Sequence, residues 1–214
     1  MRPRRLVVVV GTGTDVGKTW VAARLLIDLR AAGRTVAARK PAQSFDRDDD
    51  PARRDAAVLG AASGEEPESV CPPHRWYEVP MAPPMAAEAL GRPPFGMGDL
   101  LEEMSWPGAR VDVGLVETAG GVRSPLAVDG DCAALSRALG PDLSVLVADA
   151  GLGTINAVRL TVEVLDAPCV VVLNRFDPSS DLHARNVVWL RERDGLRVVT
   201  VPGGEAELLA LATG

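Results

Sequence analysis

Four consecutive valines, Val7-Val8-Val9-Val10, run directly into Gly11-Thr12-Gly13-Thr14-Asp15-Val16-Gly17-Lys18-Thr19. β-Branched side chains at successive positions suit a strand covered on both faces, as in the centre of a parallel sheet. The glycine- and threonine-rich turn then hands over to Gly17-Lys18-Thr19 at the start of a helix. Backbone N–H groups of such a turn, backed by the positive end of the helix, form a cradle for phosphate oxygens. Thr14, Asp15, Val16, Gly17, Lys18 and Thr19 are therefore the candidate nucleotide-binding residues. Lys18 would reach the terminal phosphates, and the Thr19 hydroxyl would ligate magnesium. The common spelling has glycine six residues before the lysine. Here that place is Thr12, and the glycine stands one residue earlier, at Gly11.

At 214 residues the chain is long enough for one α/β domain spanning 1–214 with a sizeable core. Aromatic residues are only 4%, which agrees with strands built from small branched side chains. A net charge of −6 gives no pull toward nucleic acid. The basic start Met1-Arg2-Pro3-Arg4-Arg5 reads as a solvated tail. The longest apolar runs are too short to span a bilayer, and no signal-peptide pattern opens the chain, so a cytoplasmic protein is expected. Cys71, Cys132 and Cys169 show no paired spacing, so neither a zinc site nor a disulfide framework is expected. Cys169, in the apolar run from Pro168, reads as a core residue.

Strands are expected at Leu6–Val10, Thr35–Arg39, Val111–Glu117, Leu143–Ala148, Cys169–Leu173 and Arg197–Val201. Helices are expected from Gly17 to Ala32, Pro51 to Ala62, Met97 to Met104, Asp129 to Leu139, after Asn156 to Leu165, Leu182 to Arg193 and Glu205 to Ala212. Val21, Leu25, Leu26 and Leu29 supply the buried stripe of the first helix. Residues 63–95 hold eight of the 17 prolines and read as ordered irregular structure with one short helix at Met85–Leu90. Alternating strands and helices predict a doubly wound, mostly parallel sheet flanked by helices, with ligands at the carboxyl ends of the strands.

Spelled Gly-Thr-x-Thr-x-Val-Gly-Lys-Thr, the loop resembles that of the dethiobiotin synthetases, ATP-dependent enzymes of biotin synthesis within the P-loop NTPases. Relatives that partition DNA or activate nitrogenase carry an extra lysine early in the loop, where this chain has Gly13. Further similarities follow in order along essentially the whole chain. Lys40-Pro41-Ala42-Gln43-Ser44 resembles the family's Lys-Pro-Val-x-Ser/Thr-Gly. Asp55 resembles its aspartate at the head of a helix, and Glu117-Thr118-Ala119-Gly120-Gly121 its Glu-Gly-Ala-Gly-Gly. Leu152-Gly153-Thr154-Ile155-Asn156 resembles its Leu-Gly-x-Ile/Leu-Asn turn. Asn174, followed by Arg175, resembles the nucleobase-reading asparagine, and Pro202, Gly203, Gly204 and Glu205 stand where the family closes over adenine. Thr118 and Phe45 depart from the pattern, each replacing a glycine; Phe45 would narrow a substrate pocket.

The resemblance implies a reaction and a site. CO2 and 7,8-diaminononanoate would give a carbamate, which ATP activates and the second amine closes to a cyclic urea. Thr19, Asp55 and Glu117 would hold Mg2+, hard oxygen ligands for a hard cation. Lys18 and Lys40 would be the catalytic cations, with Ser44 on the carbamate or an amine. Gly153, Thr154, Ile155 and Asn156 would receive the substrate carboxylate from a neighbouring subunit, which implies a homodimer. Read on residues alone, Lys40 could be a surface lysine, and Asp48, Asp49 and Asp50 rival Asp55, although an exposed capping turn explains that triplet better. His74 and His183 are isolated surface residues with no metal role. Two other functions stay open: the same chemistry on another amine, and a nucleotide-dependent switch ATPase.

Overall fold

The computed structural model describes residues 1–214. A six-stranded sheet runs through it: β1 (Arg5–Gly11), β2 (Val36–Arg39), β3 (Val113–Glu117), β4 (Leu143–Asp149), β5 (Cys169–Asn174) and β6 (Val198–Thr200). The spatial order is β6-β5-β4-β1-β3-β2, and every pairing is parallel. Nine α-helices accompany the sheet: α1 (Lys18–Ala31), α2 (Asp55–Ser63), α3 (Pro67–Val70), α4 (Pro83–Ala89), α5 (Met97–Glu103), α6 (Cys132–Leu139), α7 (Thr154–Val162), α8 (Asp181–Val188) and α9 (Glu205–Thr213).

The valine run explains why β1 sits centrally. Successive side chains of a strand face opposite ways. Leu6, Val8 and Val10 enter one apolar cluster with residues of α5 to α8, whereas Val7 and Val9 enter the other with α1, α2 and α9. Each valine is fully buried, worth about 1.5–3 kcal/mol of transfer free energy apiece. Val21, Leu25, Leu26 and Leu29 are all buried, as the helical spacing predicts. No helix is long and apolar enough to cross a membrane.

Several expectations are corrected. The basic start keeps Met1, Arg2 and Arg4 exposed, but its backbone is docked: Pro3 is buried and Arg4 N–H donates to the Val111 carbonyl at 3.0 Å. Gly114 permits this, since a Cβ there would stand 2.3 Å from Pro3. The helix expected from Pro51 splits in two. Asp50 caps a 3-10 turn over Pro51–Arg53 by accepting from Ala52 N–H, Arg54 turns extended (ψ 146°), and α2 begins afresh at Asp55. Residues 63–95 hold more regular structure than expected: α3, α4, a 3-10 turn at Pro73–Arg75, and Trp76–Tyr77 paired in parallel with Gln43–Ser44. Before α6, Pro125–Ala127 and Gly130–Asp131 form a small antiparallel pair, so that helix begins at Cys132 with Asp131 as its cap. The helix expected to reach Leu165 ends at Val162. The last turn after α8, Trp189–Arg193, is π-helical. Cys169 opens β5 half-buried, while Cys71 and Cys132 are the fully buried thiols.

Candidate nucleotide and substrate site

The phosphate-type loop springs from β1 at the carboxyl edge, where β3 and β4 flank it. Gly17 caps α1 with φ +92°, a left-handed conformation that costs glycine little. A side chain there is also excluded sterically, because a Cβ would lie 2.1 Å from Asn174 Nδ2. Asn174, at the end of β5, donates that amide to the Val16 carbonyl at 3.0 Å. Arg175 donates to the Asp15 carbonyl at 2.7 Å. The loop is thus fastened from the neighbouring strand end. Lys18 Nζ folds back onto the Gly13 carbonyl at 2.9 Å.

Four side chains from four elements meet beside the loop. The Thr19 hydroxyl stands 2.8 Å from Asp55 Oδ1 and 2.9 Å from Glu117 Oε1. Lys40 Nζ lies 2.6 Å from Asp55 Oδ2 and 2.6 Å from Glu117 Oε1. Chain direction explains the meeting. Lys40 follows the last residue of β2, Glu117 ends β3, Thr19 lies in the first turn of α1 and Asp55 opens α2. The restart of the helix at Asp55 sets this carboxylate at the head of α2.

The environment perturbs all four ionisable groups. Burial works against the Lys40 charge, but Asp55 and Glu117 outweigh it and hold the ammonium above its ordinary range. Complete burial, with Asp55 nearby, pushes the Glu117 carboxyl up; Lys40 opposes that rise. Burial would raise Asp55 as well, yet Lys40 and the Thr19 hydroxyl bring it below the usual carboxylate range. Lys18 is lowered by burial and by Lys40. Perturbed, mutually coupled groups at a strand-end cleft are the electrostatic pattern of a functional site.

A cavity of about 690 Å3 opens over these groups. It is lined by Thr14, Asp15, Gly17, Lys18, Thr19, Lys40, Ser44, Asp55, Glu117, Gly120 and Arg175. Val16 is turned away and packs against the core. Asn174 acts from behind the loop rather than from the cavity wall. Pro202, Gly203, Gly204 and Glu205 lie outside it, beside α9, where Glu205 accepts from Gly203 N–H at 2.8 Å. Gly153, Thr154, Ile155 and Asn156 lie outside it as well, at the start of α7. Asp48 and Asp49 belong to an exposed acidic turn, and Asp49 is one of the residues that line the cavity. His74 pairs with Glu103 at 3.1 Å, and His183 accepts from Asp177 N–H, both away from the cavity.

The Thr118 side chain does not line the cavity. It is fully buried and donates to the Val9 carbonyl at 3.2 Å. Phe45 does line the cavity, with the Arg54 guanidinium stacked 4.0 Å over its ring. Sequence reasoning passed over further lining residues, among them Gln43, Trp20, Arg53 and Arg54. Gln43 had a visible signal, standing between Lys40 and Ser44 in one motif. Trp20 had one too, an aromatic off the apolar stripe of α1. Arg53 and Arg54 had none, because the helix break that puts them at the cavity is not legible in their residue types.

The chain matches a family model described as an AAA domain over residues 5–202. It is 40% identical over 201 residues to the ATP-dependent dethiobiotin synthetase BioD of Anaeromyxobacter dehalogenans (strain 2CP-C), covering 89% of this chain and 87% of that one. It is 36% identical to the protein of the same name from Rhodococcus jostii (strain RHA1), over 98% and 91% of the two chains. Among solved structures, a plasmid partition protein of Borrelia burgdorferi superposes with TM-score 0.56 at 11% identity, covering 99% and 97% of the chains; that likeness shows the shared fold alone. With that identity held across nearly the full length of both relatives, the chain belongs to the ATP-dependent dethiobiotin synthetase family.

Proposed function

We propose that the protein is an ATP- and Mg2+-dependent cyclo-ligase that converts 7,8-diaminononanoate and CO2 to dethiobiotin. The observation that carries this reading beyond a generic nucleotide site is Lys40. The switch-type relatives carry their extra lysine within the loop; here a second buried lysine stands after β2, in one cavity with Ser44, and suits a second anion at the γ-phosphate.

Thr19, Asp55 and Glu117 fit a hard divalent cation. All three offer oxygen, they converge within hydrogen-bond distance, and Glu117 Oε2 is buried with no partner. Magnesium bound there would offset the negative charge of the β- and γ-phosphates. One amine takes up CO2 and loses a proton, giving a carbamate. The γ-phosphoryl group moves to a carbamate oxygen as ADP leaves. The second amine attacks the carbonyl carbon, the bond to the phosphate oxygen breaks, and the cyclic urea forms. Lys18 and Lys40 neutralise the oxygens on which charge develops, so the protein's work is positioning and electrostatics. Ser44 Oγ, buried without a partner, is free to bond the carbamate or an amine. Asn174 has its amide nitrogen committed to the loop, which leaves Oδ1 for an adenine amino group. Arg175 and Pro202 to Glu205 would complete the adenine side.

The Gly153–Asn156 turn lies off its own chain's cavity, and Leu152 beside it is 92% exposed. We assign it to a partner copy's site in a homodimer, where its N–H groups would hold the substrate carboxylate. The three free cysteines suit the reducing cytoplasm in which we place the enzyme.

A second reading keeps the chemistry and changes the amine, because Phe45 under Arg54 narrows the wall that would face the substrate. One panel decides. Protein with ATP, Mg2+, inorganic carbon and 7,8-diaminononanoate is expected to release phosphate and form dethiobiotin. Phosphate release indifferent to the diamine sinks the ligase reading, and release with a different diamine alone selects the second.

A further inference from the structure

Buried polar atoms without partners gather around one cavity. Gln43 Nε2, Ser44 Oγ, Arg54 Nε and Glu117 Oε2 all belong to its lining residues. Leaving such an atom unpaired costs about 1–3 kcal/mol, so several gathered in one place offer their bonds to a bound ligand or to water. Gln43 is the most enclosed of the unassigned ones, 2% exposed.

Its orientation follows from one bond. Ala56 N–H, in the first turn of α2, donates to Gln43 Oε1 at 2.9 Å. An N–H can meet only an acceptor, so the oxygen is the end turned to the helix and Nε2 is the end left free. The backbone holds the residue from the other side, since Gln43 and Ser44 pair with Trp76 and Tyr77. The free end can therefore donate and cannot accept. An ammonium, which also only donates, finds no partner in it. A carbamate oxygen does.

We propose that Gln43 reads the carboxylated state of the substrate, its Nε2 donating to a carbamate oxygen beside Lys40. The proposal rests on the ligase reading above. Lys40 supplies charge to the carbamate, whereas Gln43 supplies a fixed direction and no charge. It sorts a carbamate from an uncarboxylated ammonium in the same place. A purely structural Gln43 would serve only to hold Ala56, and with it Asp55.

Gln43→Glu separates the two roles. The carboxylate still accepts from Ala56 N–H, but its other oxygen replaces the unpaired donor with a negative acceptor. The apparent KM for inorganic carbon in diamine-dependent phosphate release is expected to rise about tenfold or more, the loss of a charge-assisted bond. In the uncharged Gln43→Met the Kd for a non-hydrolysable ATP analogue should stay within about twofold, because no charge is added near the triphosphate. Gln43→Met, similar in volume and without a donor, should raise the same KM and serves as the test should the glutamate variant fail to fold. Wild-type KM for inorganic carbon in a folded Gln43→Glu, or a Gln43→Met whose defect lies wholly in nucleotide affinity, overturns the proposal. Wild-type protein that releases no phosphate with the diamine overturns the ligase reading and this proposal together; wild-type turnover with an unaffected variant overturns this proposal alone.

Discussion

Lys40 Nζ and Glu117 Oε1 stand 2.6 Å apart, with their side chains 3% and 0% exposed. Charges buried this closely keep one another ionised, and removing one strands the other. Lys40→Met is expected to destabilise the metal-free protein by about 3–5 kcal/mol near neutral pH. The sign with pH follows from Glu117, whose carboxyl is already raised by burial and by Asp55 and restrained by Lys40. Without the lysine it rises further. A group with a raised folded pKa contributes its full stability below the ordinary value of 4.5 and loses it as pH climbs through the folded pKa. In chelator the variant should therefore melt higher near about pH 5 than near about pH 8, by a wider margin than the wild type. Equal margins in thermal melts of the two proteins would show that Lys40 does not hold Glu117 ionised.

The Asn174 amide and the Val16 carbonyl, 3.0 Å apart, fasten the phosphate loop to the end of β5. Asn174→Ala should cost about 1 kcal/mol of stability and weaken ATP binding, since the cradle is no longer preorganised. Gly17→Ala is expected to be far worse. It forces a Cβ at φ +92° to within 2.1 Å of Asn174 Nδ2, and nucleotide binding should be lost in calorimetry. Wild-type affinity in both variants would mean the loop does not hold the nucleotide.

Thr118 replaces a family glycine, and its position decides what that replacement does. The hydroxyl donates into the sheet, to Val9, rather than into the cavity. Thr118→Gly should cost about 1–3 kcal/mol through the lost bond and the freer backbone of the unfolded chain. ATP affinity should not change by more than about twofold. A large gain in affinity would show that the methyl or hydroxyl had been obstructing the phosphates.

The sheet was legible because its information is local. Strands covered on both faces have to be apolar throughout, so Val7–Val10, Val145–Val147 and Val170–Leu173 announce themselves, and the order of loops follows from the parallel connections. Lys18 and Thr19 were legible for the same reason, being fixed by the turn they follow. Residues 51–63 show the limit. Asp50 and Pro51 do start a helical turn, but the turn stops at Arg54, whose side chain stacks on Phe45, and the next helix receives Gln43. Those are contacts between segments, and no local preference of Arg53 or Arg54 encodes them. The small pair Pro125–Ala127 with Gly130–Asp131 escaped notice likewise, being too short to show a period.

Gly153 adopts φ +92° at an exposed turn off its own cavity, with Leu152 projecting beside it. If a partner copy receives that turn, each active site of the dimer combines Lys40 from one chain with Gly153 from the other. Lys40→Ala should abolish ligation by removing the cation at the reacting oxygens. Gly153→Val should abolish it by straining the turn, while an open surface around that position leaves the fold intact. Mixing the two variants during folding makes half the dimers mixed, and each mixed dimer has one site with both residues native. Ligation should then recover to about a quarter of the wild-type rate per site, although either variant alone is inactive. No recovery would place the turn in its own chain's site, and full activity of Gly153→Val alone would remove it from the site altogether.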